Sequence, residues 1–341
     1  MVTIRDVARE AGVSLGTVSN VLNNHPTVSE ANKKAVNDAI KKLGYRKNAI
    51  ASQMRSNVSK TIGLLVPDFM NPFYSEIARG VFDVTRMRGY MVLLCNKDRK
   101  KSLEEEMIET LNAKCVDGIY ICKPQCSNDR IQTLSSGKPI LLFDADPKKY
   151  PDCGIVNVDD YTGTTEAIGH IIEHGHHRIG LIYSDDGSFS SHYRIQAFHD
   201  SLEAAGIPIE EEYCAKGYFT LEGGMRAFQK LMSLPQPPTA IFATNDMMAL
   251  GALNEAHKMK INIPNEVSLV GYDDINASNW VTPALTTVHH PKYEVGVQGA
   301  FRLINWIERE QKGGSSVNEE VKLLKSEFLD RSSLGNFRKI L

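Results

Sequence analysis

TIRDVAREAGVSLGTVSNVL, residues 3–22, is the stretch from which the rest of the chain is read. Thr3 stands before Ile4, with Asp6 three positions on, so a hydroxyl and a carboxylate satisfy free amides at a helix start. Ile4, Val7, Ala8 and Ala11 fall on one face at helical spacing, and Gly12 follows at the C′ position. Ser14 opens a second, short helix with Val18, Val21 and Leu22 inward. Ser29 opens a third, with Ala35, Ala39, Ile40 and Leu43 inward and Gly44 as its stop. Two helices joined across Gly12-Val13-Ser14 form a helix-turn-helix, whose tight turn lets the second helix enter a major groove. The outward positions of that helix are Leu15, Gly16, Thr17, Ser19 and Asn20. Their hydroxyls and amide suit phosphate oxygens and base edges. The alternative is a three-helix bundle with no ligand.

Charge favours the nucleic-acid reading. Residues 1–60 carry ten Lys and Arg against Asp6, Glu10, Glu30 and Asp38, a balance of +6, which leaves −8 on residues 61–341 of a chain whose net charge is −2. A basic arm on an acidic body points to a polyanion for the arm alone. The 341 residues make about two domains with room for a small third. At 42% hydrophobic and 23% charged, the composition is that of a globular chain. No apolar run approaches the ~18 residues of a membrane span, and the first six residues hold no apolar signal core. Six scattered cysteines make no disulfide framework, so a reducing cytoplasm is expected.

From Ser59 the pattern changes. Strand-like runs at 61–66, 90–95, 118–122, 139–143, 179–183, 239–243 and 267–271 alternate with helical stretches at 74–87, 103–112, 162–174, 192–205, 222–232, 247–257 and 293–310. Alternation of this kind means parallel sheets covered on both faces, and its extent predicts two doubly wound domains. No phosphate-loop, dinucleotide or nucleophile-elbow motif occurs, so no enzyme is expected. Cys122 and Cys126 lack a second pair for zinc. His174-Gly175-His176-His177 falls at a helix C-terminus, where the dipole favours imidazoles, so a structural role outweighs a metal site. No metal and no cofactor are expected.

Ligands of doubly wound folds sit beyond the strand ends. There the chain carries Asp68, Asn71, Phe73, Tyr74, Asp144, Arg194, Phe219, Asn245, Asp246, Asp273 and Asp274. Aromatics with carboxylates, an amide and a guanidinium suit a polyhydroxylated ring, whose C–H faces stack while its hydroxyls donate and accept. Each polar residue singly could be only a helix cap, as Asp246 before Met247. Together they favour a small-molecule site.

Residues 3–22, then "VSE" and "LGYRKNAIASQMR", resemble the N-terminus of the LacI/GalR family of bacterial repressors. "NPFYSEIARGV", "GHHRIGLI", "RIQAF", "ATNDMMALGAL", "VSLVGYDD" and "PALTTV" extend the resemblance over essentially the whole chain. It implies a helix-turn-helix domain at 1–46, a hinge helix at 47–58 and an effector domain at 59–341 similar to type I periplasmic sugar-binding proteins. The effector domain would comprise an N-subdomain, about 59–159 plus 290–320, and a C-subdomain, about 160–289 plus 321–341. DNA contacts would come from Thr3, Ser14, Leu15, Gly16, Thr17, Ser19, Asn20, Asn23, Arg46, Asn48, Ala51, Met54 and Arg55. In the hinge, Met54 takes the position of the side chain that wedges into the minor groove, where the family usually has Leu, and Lys47 replaces Pro.

Effector contacts would fall on Asn71, Phe73, Tyr74, Asp144, Arg194, Phe219, Asn245, Asp273 and His290. Two departures, His290 where Gln is common and Ala145 where sugar binders often have Arg, argue against a plain hexose or pentose. The resemblance thus implies a homodimeric regulator, in the repressing sense, of double-stranded operator DNA, controlled by a sugar-like effector. The dimer contact would involve the 74–87 helix and the strand around 91–94. Residues 333–341 are too few for the coiled coil that joins two dimers in some relatives, so no tetramer is expected. The competing readings, a sugar-transport component and a sugar-acting enzyme, lack an export signal and an acid–base pair.

Overall fold

In the computed structural model, which describes residues 2–22, 25–45, 58–314 and 321–337, the chain forms two compact units, Met1–Ser59 and Lys60–Leu341. The first holds α1 (Ile4–Ala11), α2 (Leu15–Leu22) and α3 (Glu30–Leu43). Thr3 caps α1 through a reciprocal box with Asp6. The Ser14 hydroxyl accepts from the Thr17 amide at 3.1 Å and so caps α2. Gly12 and Gly44 close α1 and α3 at φ 66° and 61°, which a residue without Cβ adopts freely. Val7, Ala8, Val18, Val21, Val36 and Ala39 form the core. The deep residue of α3 is Val36 rather than the expected Ala35, which is half-buried. The inward stripe of α3 runs 36–39–40–43, the i, i+3, i+4, i+7 rule started one residue later.

The second unit runs β1 (Thr61–Val66), α4 (Pro72–Arg88), β2 (Met91–Asn96), α5 (Lys101–Ala113), β3 (Gly118–Cys122), α6 (Asn128–Ser135), β4 (Ile140–Phe143) and β5 (Gly154–Val158). It continues with α7 (Asp160–Glu173), β6 (Ile179–Tyr183), α8 (Phe189–Ala204), β7 (Cys214–Lys216), α9 (Leu221–Met232), β8 (Ala240–Ala243), α10 (Asp246–Met259) and β9 (Ser268–Val270). β10 (Thr287–His289), α11 (Lys292–Glu310), β11 (Lys322–Leu324) and β12 (Glu327–Leu329) follow. One lobe is built on a parallel sheet of order β11-β5-β4-β3-β1-β2, the other on a parallel sheet of order β7-β6-β8-β9. β10 and β12 form a small antiparallel ribbon.

Successive strand residues face opposite sides, and both sides are covered. Along β3, Tyr120 and Cys122 join the core with α4 and α11, while Ile119 and Ile121 join that of α5 and α6. Along β8, Ile241 and Ala243 pack toward α9 and α10, and Ala240 and Phe242 toward α7 and α8. Within each lobe one helix pair crosses at glycines. A Cβ at Gly80 of α4 would stand 2.2 Å from the Tyr293 carbonyl, and one at Gly296 of α11 would stand 2.1 Å from that of Ile77. Gly224 and Gly251 do the same for α9 and α10.

The chain passes between the lobes three times: from β5 to α7, from β10 to α11, and from β11 to β12. The first and third passages are joined, since the Asp159 amide donates to Leu324 O at 2.8 Å and Ser326 Oγ donates to Asp159 O at 3.0 Å. The last return comes later than the expected residue 321. Lys322–Leu324 extends the first sheet beside β5, because backbone pairing with Val156–Val158 holds it there.

Candidate functional site

On α2, Val18 and Val21 are buried, Leu15, Gly16 and Asn20 are exposed, and Thr17 and Ser19 are half-buried. Leu15 is 44% exposed, too open for a packing residue. The Thr17 hydroxyl lies 2.9 Å from that of Ser14, and the Thr3 hydroxyl donates to Asp6 at 2.7 Å, so both are engaged in capping. A Cβ on Gly16 would meet only Ser14 Oγ, at 3.8 Å. Asn23, Arg46, Asn48, Ala51, Met54 and Arg55 lie outside the described residues, as does most of the 47–58 segment.

In the second unit a cleft of about 1010 Å³ opens between the lobes. It lies beyond the carboxyl ends of β1, β3 and β4 on one side and of β6 to β9 on the other, where the strand order of each sheet reverses. Asn71, Phe73, Tyr74, Asp144, Arg194, Phe219, Asn245 and Asp273 all line it. The Asn71 and Asn245 side chains accept the Phe73 and Met248 amides, capping α4 and α10. Phe73 packs edge-on to Tyr74 at 5.1 Å and stacks on Phe143 at 6.2 Å.

Arg194 is the electrostatic centre. Its Nε donates to Asp160 at 2.8 Å, its Nη1 donates to Thr244 O at 2.6 Å and to Asp273 at 3.2 Å, and its guanidinium lies 3.7 Å over the Tyr272 ring. Burial opposes this charge, but the Asp160 and Asp273 carboxylates outweigh it and hold Arg194 above its ordinary range. Burial also raises both acids, Asp273 to about 7, against the pull of Arg194.

Polar contacts from three cleft-lining residues of the first lobe cross to the second. Asp144 accepts the Ser190 amide at 2.6 Å and hydroxyl at 2.7 Å. Lys123 reaches Asp186 at 3.3 Å and Ser188 at 3.2 Å, stays 3.4 Å from Asp144, and sits 4.3 Å over the Phe219 ring. Arg99 donates to Tyr218 O at 2.8 Å. Burial works against the Lys123 charge, yet Asp186 and Asp144 hold it above the usual lysine range. Half of the twelve described non-glycine residues with positive φ, namely Arg99, Lys123, Asp144, Tyr218, Phe219 and Asp273, line this cleft. Backbone strain of this sort gathers at binding sites, where surrounding structure over-determines it.

His290 is the exception among the expected contacts, because it does not line the cleft. It is fully buried behind it, 5.0 Å from Phe73, 5.8 Å from Phe143 and 6.4 Å from Tyr272. Burial first, then Arg194 and Lys292, hold its pKa well below the ordinary value. Sequence reasoning missed Lys123, Asp160, Asp186 and Ser190. Lys123 immediately follows β3, so the strand-end rule pointed to it, but Cys122 and Cys126 drew attention instead. These cysteines are free and buried. His176 bridges Thr239 at 3.0 Å and Gly335 O at 2.9 Å, and burial lowers its pKa. It thus clamps the 333–337 segment, a structural role. Among the described residues no group of three His, Cys, Asp or Glu side chains is placed to hold a metal, and no helix is long and apolar enough to cross a membrane.

Comparison with known proteins gives two matches to family descriptions. Residues 3–48 match "Bacterial regulatory proteins, lacI family", and residues 59–327 match "Periplasmic binding proteins and sugar binding domain of LacI family". The HTH-type transcriptional repressor CytR of Escherichia coli (strain K12) is 33% identical over 331 residues, 97% of this chain and 96% of that protein. Catabolite control protein A of Priestia megaterium is 32% identical over 317 residues, 93% of this chain and 96% of that protein. Among solved structures, a ribose-bound LacI family regulator from Enterococcus faecium superposes with TM-score 0.72 at 29% identity, covering 82% of this chain and all of that one. The lac repressor dimer bound to operator and an anti-inducer shares the fold, with TM-score 0.85 at 24% identity over 98% of this chain and 99% of that one. Its relatives being repressors and not enzymes, this chain, with its helix-turn-helix unit and two-lobed sugar-binding domain, belongs to the LacI family of DNA-binding transcriptional repressors.

Proposed function

We propose that the protein acts in the cytoplasm as a homodimer on a palindromic operator, and that a small polyhydroxylated effector in the cleft sets its affinity for DNA. The observation that carries this reading is the cleft itself. Its lining comes from both lobes, with cross-lobe contacts by Lys123, Asp144 and Arg99. A ligand bound there touches both lobes and can favour one angle between them, and only such differential affinity couples one site to another.

In this reading α2 reads each half-site through Leu15 and Asn20, and phosphate contacts position it. Residues 1–46 are the reading head, 47–58 the hinge carrying the Met54 wedge, and 59–341 the effector domain. The dimer forms through the first lobe. β2 is an edge strand with Met91, Leu93 and Leu94 exposed, and Phe82 and Met87 of α4 are exposed as well. An apolar open edge of this kind is rarely left bare. The relatives named as repressors and the operator-bound lac repressor dimer support the same reading.

A gel-shift titration on inverted-repeat DNA, with and without candidate sugars and sugar derivatives, tests it. Arg194→Ala is a poor probe, since it would strand two buried carboxylates. Asn245→Ser keeps a capping oxygen for α10 and removes the amide nitrogen from the cleft. Operator binding by this variant with a lost effector response is the expected result. An unaltered response would move the effector site elsewhere.

A further inference from the structure

The second unit begins at Lys60, next to the amino end of β1 and so at the end of the sheet away from the cleft. Lys60 has φ 52°, in the left-handed region that a residue with a Cβ seldom enters. The body grips it through several elements. Its amide donates to Asp117 Oδ2 at 2.8 Å, and its carbonyl accepts the Met91 amide at 2.8 Å. Its ammonium reaches Glu308 Oε1 at 3.3 Å and lies 4.3 Å over the Tyr90 ring. Surroundings that over-determine one residue in this way hold it in a conformation that the free chain would rarely adopt.

Glu308 makes the grip a network. Its second oxygen accepts Arg88 Nη2 at 2.7 Å, and Arg88 Nη1 donates to Asn305 at 3.1 Å. One carboxylate thus joins the entry of the chain to the last turns of α4 and α11, the pair that crosses at Gly80 and Gly296. Burial opposes both charges, yet Tyr90 and Glu308 hold Lys60 above the usual lysine range, and Arg88 and Lys60 hold Glu308 below that of a carboxylate. The Lys60 and Glu308 side chains are 46% and 28% exposed, and ion pairs this open add little to stability. What the network supplies is a fixed geometry at one residue. Residues 46–57 alone separate the described end of the reading unit, Tyr45, from Val58.

We propose that Lys60, Glu308 and Arg88 form a clasp that fixes how the chain leaves the body, and that this clasp sets the half-site spacing the protein accepts in DNA. The three are positioning residues, and none of them lines the cleft. The proposal rests on the reading of the protein as a dimer on a palindromic operator. Two tethered binding events gain an effective concentration that peaks at the span a stiff tether favours and falls on either side. A slack tether lowers that peak and broadens it. Loosening the root of the tether therefore changes which spacings are bound, and leaves the reading of each half-site alone.

Duplexes selected from random sequence by the full-length protein supply the operator. Inserting or deleting one or two base pairs at its centre gives a spacing series, and a duplex with a single half-site is the control. The unaltered protein should lose about tenfold or more in affinity away from the best spacing. Lys60→Met keeps an apolar chain over Tyr90 and removes the charge. It should bind the best spacing roughly fivefold to tenfold more weakly and flatten the spacing penalty to about threefold or less, with half-site affinity unchanged. Lys60→Arg should restore the steep profile. Glu308→Gln should repeat the Lys60→Met result, and gives the same test should Lys60→Met fold poorly. An unchanged spacing profile in both Lys60→Met and Glu308→Gln, or a loss shared equally by every spacing and the half-site, overturns the clasp and leaves the operator reading standing. A flat profile in the unaltered protein also overturns the clasp. Selected duplexes that hold no inverted repeat overturn both.

Discussion

Asp246 is fully buried, and three donors converge on its carboxylate: Ser278 Oγ and Thr287 Oγ1, each at 2.6 Å, and the Ile275 amide at 2.9 Å. It fastens the start of α10 to the 271–289 segment that leads to the second passage between the lobes. Burial pushes its pKa up to about 6, and the hydrogen bonds only partly oppose this. The native state then holds a proton that the unfolded chain gives up near pH 4, so the stability from this group declines as pH rises through 6. Ser278→Ala removes a donor that favours the ionised form. It should cost ~1–3 kcal/mol, more at pH 8 than at pH 5, as read from urea midpoints at the two values. An equal cost at both would mean that Asp246 is ionised throughout. On α2, Gly16 has open space around it, so Gly16→Ala should raise the melting temperature by restoring about 1 kcal/mol of helix propensity. Leu15→Ala should leave stability nearly unchanged and relax base preference at one symmetric pair of operator positions by ~1–3 kcal/mol. A uniform loss over all sequences would assign Leu15 to packing instead.

At the scale of elements, the glycine crossings fix what can move. Gly80→Ala drives a methyl into the backbone of α11 rather than into a yielding side chain, so it should destabilise by ~1–3 kcal/mol or more despite better helix propensity. Chemical denaturation measures this, and a neutral result would mean that the α4–α11 pair can slide. Such crossings are invisible in sequence, where Gly80 and Gly296 read as ordinary helix glycines. The long elements were legible because unbroken apolar strand runs such as Thr61–Val66 and Gly118–Cys122 alternate with stretches of helical period, some opened by a capping residue such as Asn71 or Asn245. α6, β5, β7 and β10 to β12 were not. They are short, with three to eight residues each, and pairing with distant chain holds the strands rather than local pattern. The cleft followed the same division. Asn71 and Asn245, a few residues past recognised strands, were read as lining residues and do line the cleft, Lys123 and Asp186 past β3 and β6 were passed over, Asp160 follows the unrecognised β5, and His290 showed its burial only in three dimensions.

The whole molecule should be a dimer in solution, about twice the 37.9 kDa chain. Light scattering of the DNA-free protein at micromolar concentration measures it. Leu93→Glu on the β2 edge should shift the mass toward one chain and weaken operator binding, since two reading heads must stay coupled. A wild-type mass near one chain would refute the pairing of bodies. Within the chain the three interlobe passages, two of them hydrogen-bonded at Asp159 and Ser326, are placed as the pin of a lever whose arms are the lobes. A small angular change at the pin becomes a displacement that grows with distance from it. On the proposed reading of the cleft, the work an effector does is concentrated in a few turning backbone bonds, and stiffening those bonds, as with proline beside Ser326, should mute the signal without touching either binding surface.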